Sequence, residues 1–549
     1  MQRRTFLQYA AASAFGVLGF RYLYNRSTNA NRNAVMGAAA TARYAGRHNP
    51  LFIPGNSGPL GIVDIADARL TLNARSTTLP LVEDKQSPFL IYGAKYGNKE
   101  YQNPTIRIKR GNQFSARLQN DLDEPTIIHW HGLHLPGVMD GHPRTTIPAG
   151  AHYDYAFTVA NRGGMYWYHT HAHNLTAEQA YLGLAGIFMV EDEDETALRT
   201  TLQLEQGVTE LPLLIQDKQF NSAGELAYEA KSMQQTMMGQ LGDTILVNLT
   251  PQPQLDIANR LYRFRILNGS NSRIYKLAFV SRGKMLPYSV IGTDAGLLDR
   301  PYTVQEVFVA PAERVDVLFD ASRLRAGEEV LLMSLAFDPM EDDMMSGMGG
   351  MMGGMSGMSG TSGTGGMGGS SLALGAEFEI MKLAVTTQVL ATPSTPPSRL
   401  SNIVRIDTRG AGVRNISLTM QRMRWLINGE SFDMDRSPIQ SRSNTVELWD
   451  IRNAKMSMPH PMHMHGFSFQ VVNRRNSPGQ VRKLAQDASG RLVTDLGWKD
   501  TILVWPGETV RIAIDFTNEY RGDQMYVFHC HNLEHEDQGM MVNHRVTAV

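Results

Sequence analysis

The chain has a single cysteine among 549 residues. That excludes an intrachain disulfide framework, and an exported protein with one thiol needs a reason to keep it. Charge of one sign is missing too. The 52 basic and 53 acidic residues leave a net charge of −1, which gives no footprint for nucleic acid or an anionic membrane. No stretch past the N-terminus reaches the ~20 apolar residues that span a bilayer. Long helical periodicity is scarce. Histidine is absent from 174 to 459, although the chain holds 16. What remains, 42% apolar and 19% charged, is the composition of a soluble globular protein. At ~150 residues per domain, the length predicts three or four domains.

The N-terminus reads Met1-Gln2-Arg3-Arg4-Thr5-Phe6-Leu7, followed by an apolar run from Tyr9 to Phe20. That run is too short to span a membrane. A twin-arginine pair before it predicts a Tat export signal within 1–40, and so a periplasmic protein that engages the Tat machinery. The body alternates apolar and polar residues, as in 105–110, 262–266 and 510–515, with turn signals such as Asn268-Gly269 and Pro506-Gly507 between such runs. Short strands with frequent turns predict β-sandwiches. The acidic run Glu191–Glu195 closes a first segment, and Pro393–Ser398 is a stiff linker before the last. The expected domains are 45–195, 205–390 and 399–549. Inside the second, Met340–Gly369 is a 30-residue insertion with nine methionines, most of the rest being glycine or serine. It cannot bury a core, yet its thioethers are soft ligands that suit Cu(I).

His-x-His occurs at 129/131, 169/171, 171/173, 463/465 and 529/531. Two histidine blocks flank a barren middle. They imply one metal centre shared by the first and last domains, with the middle domain a spacer that supplies no ligand. The surroundings, Ile127-Ile-His-Trp-His131 and Met525-Tyr-Val-Phe-His-Cys-His531, are strand-like. Residues i and i+2 of a strand share a face and i+1 takes the other. His529 and His531 therefore face one way and Cys530 the other, which can hold two metal sites back to back. Cys530 is followed by His535 and Met540. With a second histidine from elsewhere, His460 being the candidate, these make a blue-copper set. A lone cysteine is ordinarily a buried inert thiol; these partners argue otherwise.

Four motifs then carry a resemblance: His129-Trp-His-Gly132, Trp167-Tyr-His-Thr-His171, His460-Pro-Met-His-Met-His-Gly466 and His529-Cys-His-Asn-Leu-Glu-His535. With Gly183–Gly186 and Gly497-Trp-Lys-Asp-Thr501 in support, residues 45–549 resemble the multicopper oxidases, in the bacterial laccase-like and copper-efflux branch. The resemblance implies an all-β chain of three cupredoxin-like Greek-key sandwiches and four copper ions. A type 1 copper would take His460, Cys530, His535 and axial Met540. A type 2 copper would take His129 and His463. One type 3 copper would take His131, His169 and His531, the other His171, His465 and His529. Asp140 and Glu536 match carboxylates that deliver protons for reducing O₂ to water. His134, His142, His152 and His173 have no family role.

The implied activity is one-electron oxidation of Cu(I) or phenols coupled to O₂ reduction, with a role in copper tolerance and as a monomer. Of the efflux oxidase's substrate-copper residues, Asp342 and Met458 are matched. Phe337 and Met456 stand where that pattern has Met and Asp, although Met456 still offers sulfur. A plain laccase for phenols or aromatic amines is one alternative. A non-catalytic exported cupredoxin scaffold is another; such relatives lack the ligand residues, which are intact here.

Overall fold

The computed structural model describes residues 48–66, 69–82, 85–228, 233–341, 372–389 and 395–548. The twin-arginine region, Asp342 and all of the methionine-rich insertion except Met340 and Glu341 lie outside them.

The described residues form three β-sandwich units, as the strand pattern predicts. The period-two alternation is visible in Gln113–Asn120, whose Phe114, Ala116 and Leu118 are buried while their neighbours reach solvent. In the first unit nine strands pair, from Leu60–Asp64 to Ala185–Glu191. Their core holds Ile106, Phe114, Trp130, Tyr168 and Phe188. The second unit has two seven-stranded sheets. One of them includes Asn49–Pro50, which pairs with Pro253–Gln254. The segment expected to open the first sandwich is thus an edge of the second. The third unit has two five-stranded sheets, and its core includes Trp449, Phe528, Cys530 and Met540.

The acidic run expected to close the first segment begins a helix, Glu193–Leu202. Asp192 caps it by accepting from the Glu195 backbone N–H at 3.0 Å, and its first turn carries three acidic residues. Negative charge there complements the exposed N–H groups and the helix dipole. Glu195 itself turns inward to Arg263 at 2.6 Å and Arg265 at 3.2 Å, all fully buried. That ion-pair cluster ties the connection between the first two units to the second.

Candidate metal centre

Strand register builds the site. Ile128–His131 runs antiparallel to Gly164–Thr170 with His129 opposite His169 and His131 opposite Trp167. His460–Met464 pairs with Gln524–Cys530 so that His463 faces His529 and Met462 faces Cys530. Directly opposed residues share a face. His129, His131 and His169 of the first unit therefore meet His463, His529 and their i+2 partners of the third. Cys530 and Met462 look to the opposite side, into the core of the third unit. Two glycines permit the close approach. Gly132, with φ +84°, lies where a Cβ would collide with the Asp500 carboxylate, and Gly141, also at +84°, lies against the Ile128 carbonyl. Gly141 lets the loop after His129 fold back and bring Asp140 beneath the imidazoles.

Four groups of three result from the predicted ligands alone: His129–His131–His463, His131–His169–His531, His171–His465–His529 and His460–Cys530–His535; a fifth joins Asp140 to His129 and His465. In each, the facing atoms lie within 4.8 Å of one another and every residue is buried. Burial pushes nine of the histidines down, His129, His131, His169, His171, His460, His463, His465, His531 and His535, with His169 at about 4, and His171 and His535 at about 3. They are neutral imidazoles at pH 7, the form that ligates metal. Burial pushes the Cys530 thiol up, so a bound cation is needed to hold it as thiolate. Met540 is fully buried, its N–H donates to the His535 carbonyl at 2.8 Å and its carbonyl accepts from Cys530 N–H at 3.0 Å.

The outward nitrogens decide what fits between the rings. His129 Nδ1 donates to the Asp140 carbonyl at 2.7 Å, His463 Nδ1 to the Asp500 carbonyl at 2.8 Å, and His169 Nδ1 to the Thr170 carbonyl at 2.8 Å. His465 Nδ1 donates to Asp140 Oδ2 at 2.7 Å and His131 Nε2 to Asp500 Oδ1 at 3.0 Å. A carbonyl or carboxylate only accepts, so each proton sits on the outward nitrogen. The inward nitrogens are bare lone pairs. Yet His129 Nε2 and His463 Nε2 are 3.3 Å apart, His131 Nδ1 and His169 Nε2 3.4 Å, and His465 Nε2 and His529 Nε2 3.0 Å. Lone pairs facing lone pairs fit a cation between them. At Cys530 the same holds. His460 and His535 turn Nδ1 to the sulfur at 3.6 and 3.7 Å, while their Nε2 atoms meet Ser457 Oγ and the Met237 carbonyl, each at 3.2 Å. An all-imidazole pocket beside a pocket of thiol, two imidazoles and a thioether is the donor chemistry of copper.

The two carboxylates differ. Asp140 is buried, its Oδ1 has no partner, and burial raises its carboxyl well above the usual range. Glu536 is also buried, which by itself raises it, but His171 and His529 outweigh this and hold it at about 2. Its oxygens lie 3.6 Å from His171 Nε2 and 3.1 Å from His529 Nδ1. Met458 is buried and Met456 is 52% exposed, so the structure does not put these two sulfurs in one environment. Phe337 packs on Phe308 and Trp505 at ring distances of 5.3 and 6.0 Å. His134, His142, His152 and His173 stand outside all four groups.

The middle unit is more than a spacer. Its described residues add none to these groups, but its Arg314 grips Asp500 with two hydrogen bonds of 2.8 and 2.5 Å, and Asp500 in turn holds His131. Its Met237 and Met238 carbonyls accept from His535 Nε2 and from Asn532 Nδ2, the latter at 3.1 Å. Asp500 stands within a quoted motif and could have been found as a carboxylate near ligands. Arg314, Ser457 and the Met237 carbonyl carry no local signal.

Such a fold and donor set define a copper-dependent oxidase. Residues 93–195 and 405–548 match models of the multicopper oxidases. The multicopper oxidase mco of Staphylococcus haemolyticus is 30% identical over 81% of this chain and 82% of its own. The cell division protein FtsP of Photorhabdus laumondii is 30% identical over 80% and 82%. Among solved structures, McoA multicopper oxidase from the hyperthermophile Aquifex aeolicus is 38% identical, with a TM-score of 0.79 over 91% of this chain and 100% of that one. The chain belongs to the multicopper oxidase family and is an oxidoreductase. Enzymes of this family use O₂, substrates such as phenols or Cu(I), and copper of types 1, 2 and 3.

Proposed function

We propose that this enzyme is an exported oxidase of Cu(I), with phenols as secondary substrates, that reduces O₂ to water and serves copper tolerance. The observation that carries the substrate is the surroundings of Cys530. All three residues of its pocket are fully buried, and seven methionines, Met237, Met238, Met340, Met458, Met462, Met464 and Met540, share its core. Soft thioethers suit a cuprous ion, and sealed ligand edges disfavour a bulky phenol. Met340 is also where the methionine-rich insertion begins.

His460, Cys530, His535 and Met540 would hold the type 1 copper. His129 and His463 would hold type 2, and the two remaining imidazole triplets the type 3 pair. Bound there, copper supplies one-electron acceptance from substrate and storage of the four electrons that O₂ reduction consumes. The chain's part is to place and protonate. Cys530 is joined by one peptide bond on each side to His529 and His531, so one strand serves both pockets. Asp140 Oδ1 carries a proton to the imidazole pocket, and Glu536, 3.1 Å from His529 Nδ1, relays others. The first and third units exclude bulk water by burying every ligand.

O₂ uptake with Cu(I) and with a dimethoxyphenol, each with and without residues 340–369, tests this. Deletion should raise KM for Cu(I) and leave the blue absorption in place. Unchanged rates for both substrates would favour a plain laccase. A scaffold role, suggested by the likeness to FtsP, is disfavoured by the assembled ligand groups, and copper-dependent O₂ uptake excludes it. Export through the Tat route to the periplasm rests on Arg3-Arg4 and the apolar run. Arg3→Lys with Arg4→Lys should retain the protein in the cytoplasm. We expect a monomer, which sedimentation would check.

A further inference from the structure

We propose that Trp425, which is no metal ligand, selects the reductant by covering the entry to the type 1 copper; this rests on assigning that copper to His460, Cys530 and His535. Its indole lies 4.7 Å from the His460 ring at 71° and 5.3 Å from the His535 ring at 41°. One side chain thus spans both imidazoles. Trp425 is 3% exposed, yet the four residues before it, Gln421 to Arg424, form the exposed tip of a hairpin. The indole therefore connects an exposed hairpin to both ligand rings. Its cross-strand partner is the partly buried Met420, and its Nε1 has no hydrogen-bond partner among the described residues.

The remaining ways to touch the ligands are closed. His460 Nε2–H is taken by Ser457 Oγ and His535 Nε2–H by the Met237 carbonyl. Both rings are fully buried. A phenol can neither hydrogen-bond to a ligand imidazole nor stack on one. Its electron must cross the side chains that bury the rings, the indole that touches both among them, and electron transfer slows steeply with added distance. A cuprous ion is bound by thioether sulfur rather than by stacking on or hydrogen-bonding to an imidazole, so it needs no such contact. Trp425 therefore penalises bulky donors and leaves Cu(I) oxidation alone.

The test compares copper-loaded wild type, Trp425→Phe and Trp425→Leu. Each is read by its blue absorption, the potential of the type 1 copper, and kcat/KM for Cu(I) and for a dimethoxyphenol. Leu opens the rim and should raise the phenol's kcat/KM by about tenfold, with band, potential and Cu(I) kinetics unchanged. Phe keeps a ring in place and should stay near wild type, which separates cover from loss of the indole N–H. Unchanged phenol kinetics in Leu would overturn the proposal. So would parallel changes for both substrates with a shifted potential, since Trp425 would then be tuning the copper. Should Leu fail to load copper, Phe decides: a phenol rate as altered as the potential counts against a cover, and an unaltered rate with a weakened band makes Trp425 structural. A wild type without blue absorption would instead refute the type 1 assignment itself.

Discussion

The two pockets that share the strand Gln524–Cys530 are built on different plans. The imidazole pocket draws four histidines from the first unit and four from the third, so it exists only when those units dock. The Cys530 pocket takes His460, Cys530 and His535 from the third unit alone. One pocket is an interface and the other a core. Both nevertheless lean on the middle unit, through Arg314–Asp500–His131 in the first case and the Met237 carbonyl in the second. A domain without ligands in either pocket still orients ligands in both, and outer partners of that kind are typically worth 10–100-fold in metal affinity.

The sharpest way to separate the pockets is Cys530→Ser. Serine supplies no soft thiolate. Blue absorption and substrate-driven turnover should vanish, while copper analysis still finds the three ions of the imidazole pocket. Persistence of the band would remove Cys530 from the type 1 site. His463→Ala should do the converse. It sits opposite His529 and 3.3 Å from His129 Nε2, although 334 residues separate His463 from His129. O₂ reduction should stop, type 2 copper should be lost, and substrate should still bleach the blue band. Loss of the blue band alone would reverse the division between His460 and His463.

Asp140→Asn comes next. It keeps the shape near His465 and removes an ionisable oxygen that has no hydrogen-bond partner among the described residues and lies 3.6 Å from His129 Nδ1. General acid–base participation is typically worth ~10²–10⁴ in rate, so O₂ reduction should slow by that order with copper content unchanged. An unaltered rate across pH would leave Asp140 a purely structural acceptor.

Protons should distinguish the pockets as well, in the copper-free protein. His169 and His171 are held at about 4 and about 3 by burial, against ~6.5 in the unfolded chain. The unfolded state then binds protons first, so stability present above ~6.5 is lost as pH falls toward 4, by up to ~1.4 kcal/mol per pH unit for each such histidine. Burial pushes down seven histidines of the imidazole pocket and two of the Cys530 pocket. Hydrogen exchange between pH 7 and 5 should therefore open the seam between the first and third units before the third unit's core. Simultaneous opening would make the seam and the core one cooperative unit.

The clustering of the histidines was legible because they come in motifs whose period-two spacing fixes their face. His-x-His and His-Cys-His give the back-to-back geometry. The sandwiches were legible for the same reason: alternation in 105–110 or 262–266 is local. What sequence could not carry is contact between distant elements. Nothing near Arg314 says that it will meet Asp500, 186 residues on. The edge strand Asn49–Pro50 joins the second sandwich through a partner some 200 residues away. A backbone carbonyl such as that of Met237 has no residue code at all. The acidic run at 191–195 was read as a boundary, and it also starts a helix, because a cap and a linker use the same polar residues.

The smallest expected effect is at Ser457. Its Oγ holds His460 Nε2 at 3.2 Å, within a fully buried setting, and so fixes the tautomer that turns Nδ1 toward Cys530. Ser457→Ala leaves that N–H buried without a partner, which costs about 1–3 kcal/mol. The loss falls on the orientation of one ligand, so type 1 copper should bind about tenfold more weakly, read by competition with a chelator at constant pH. Ser457→Thr keeps the hydroxyl and should restore affinity. Because Ser457 touches only the core-built pocket, the three ions of the interface pocket should be retained to the same chelator concentration as in wild type. Equal loss from both pockets would show that the shared strand couples them rigidly, and the contrast between interface and core would no longer hold.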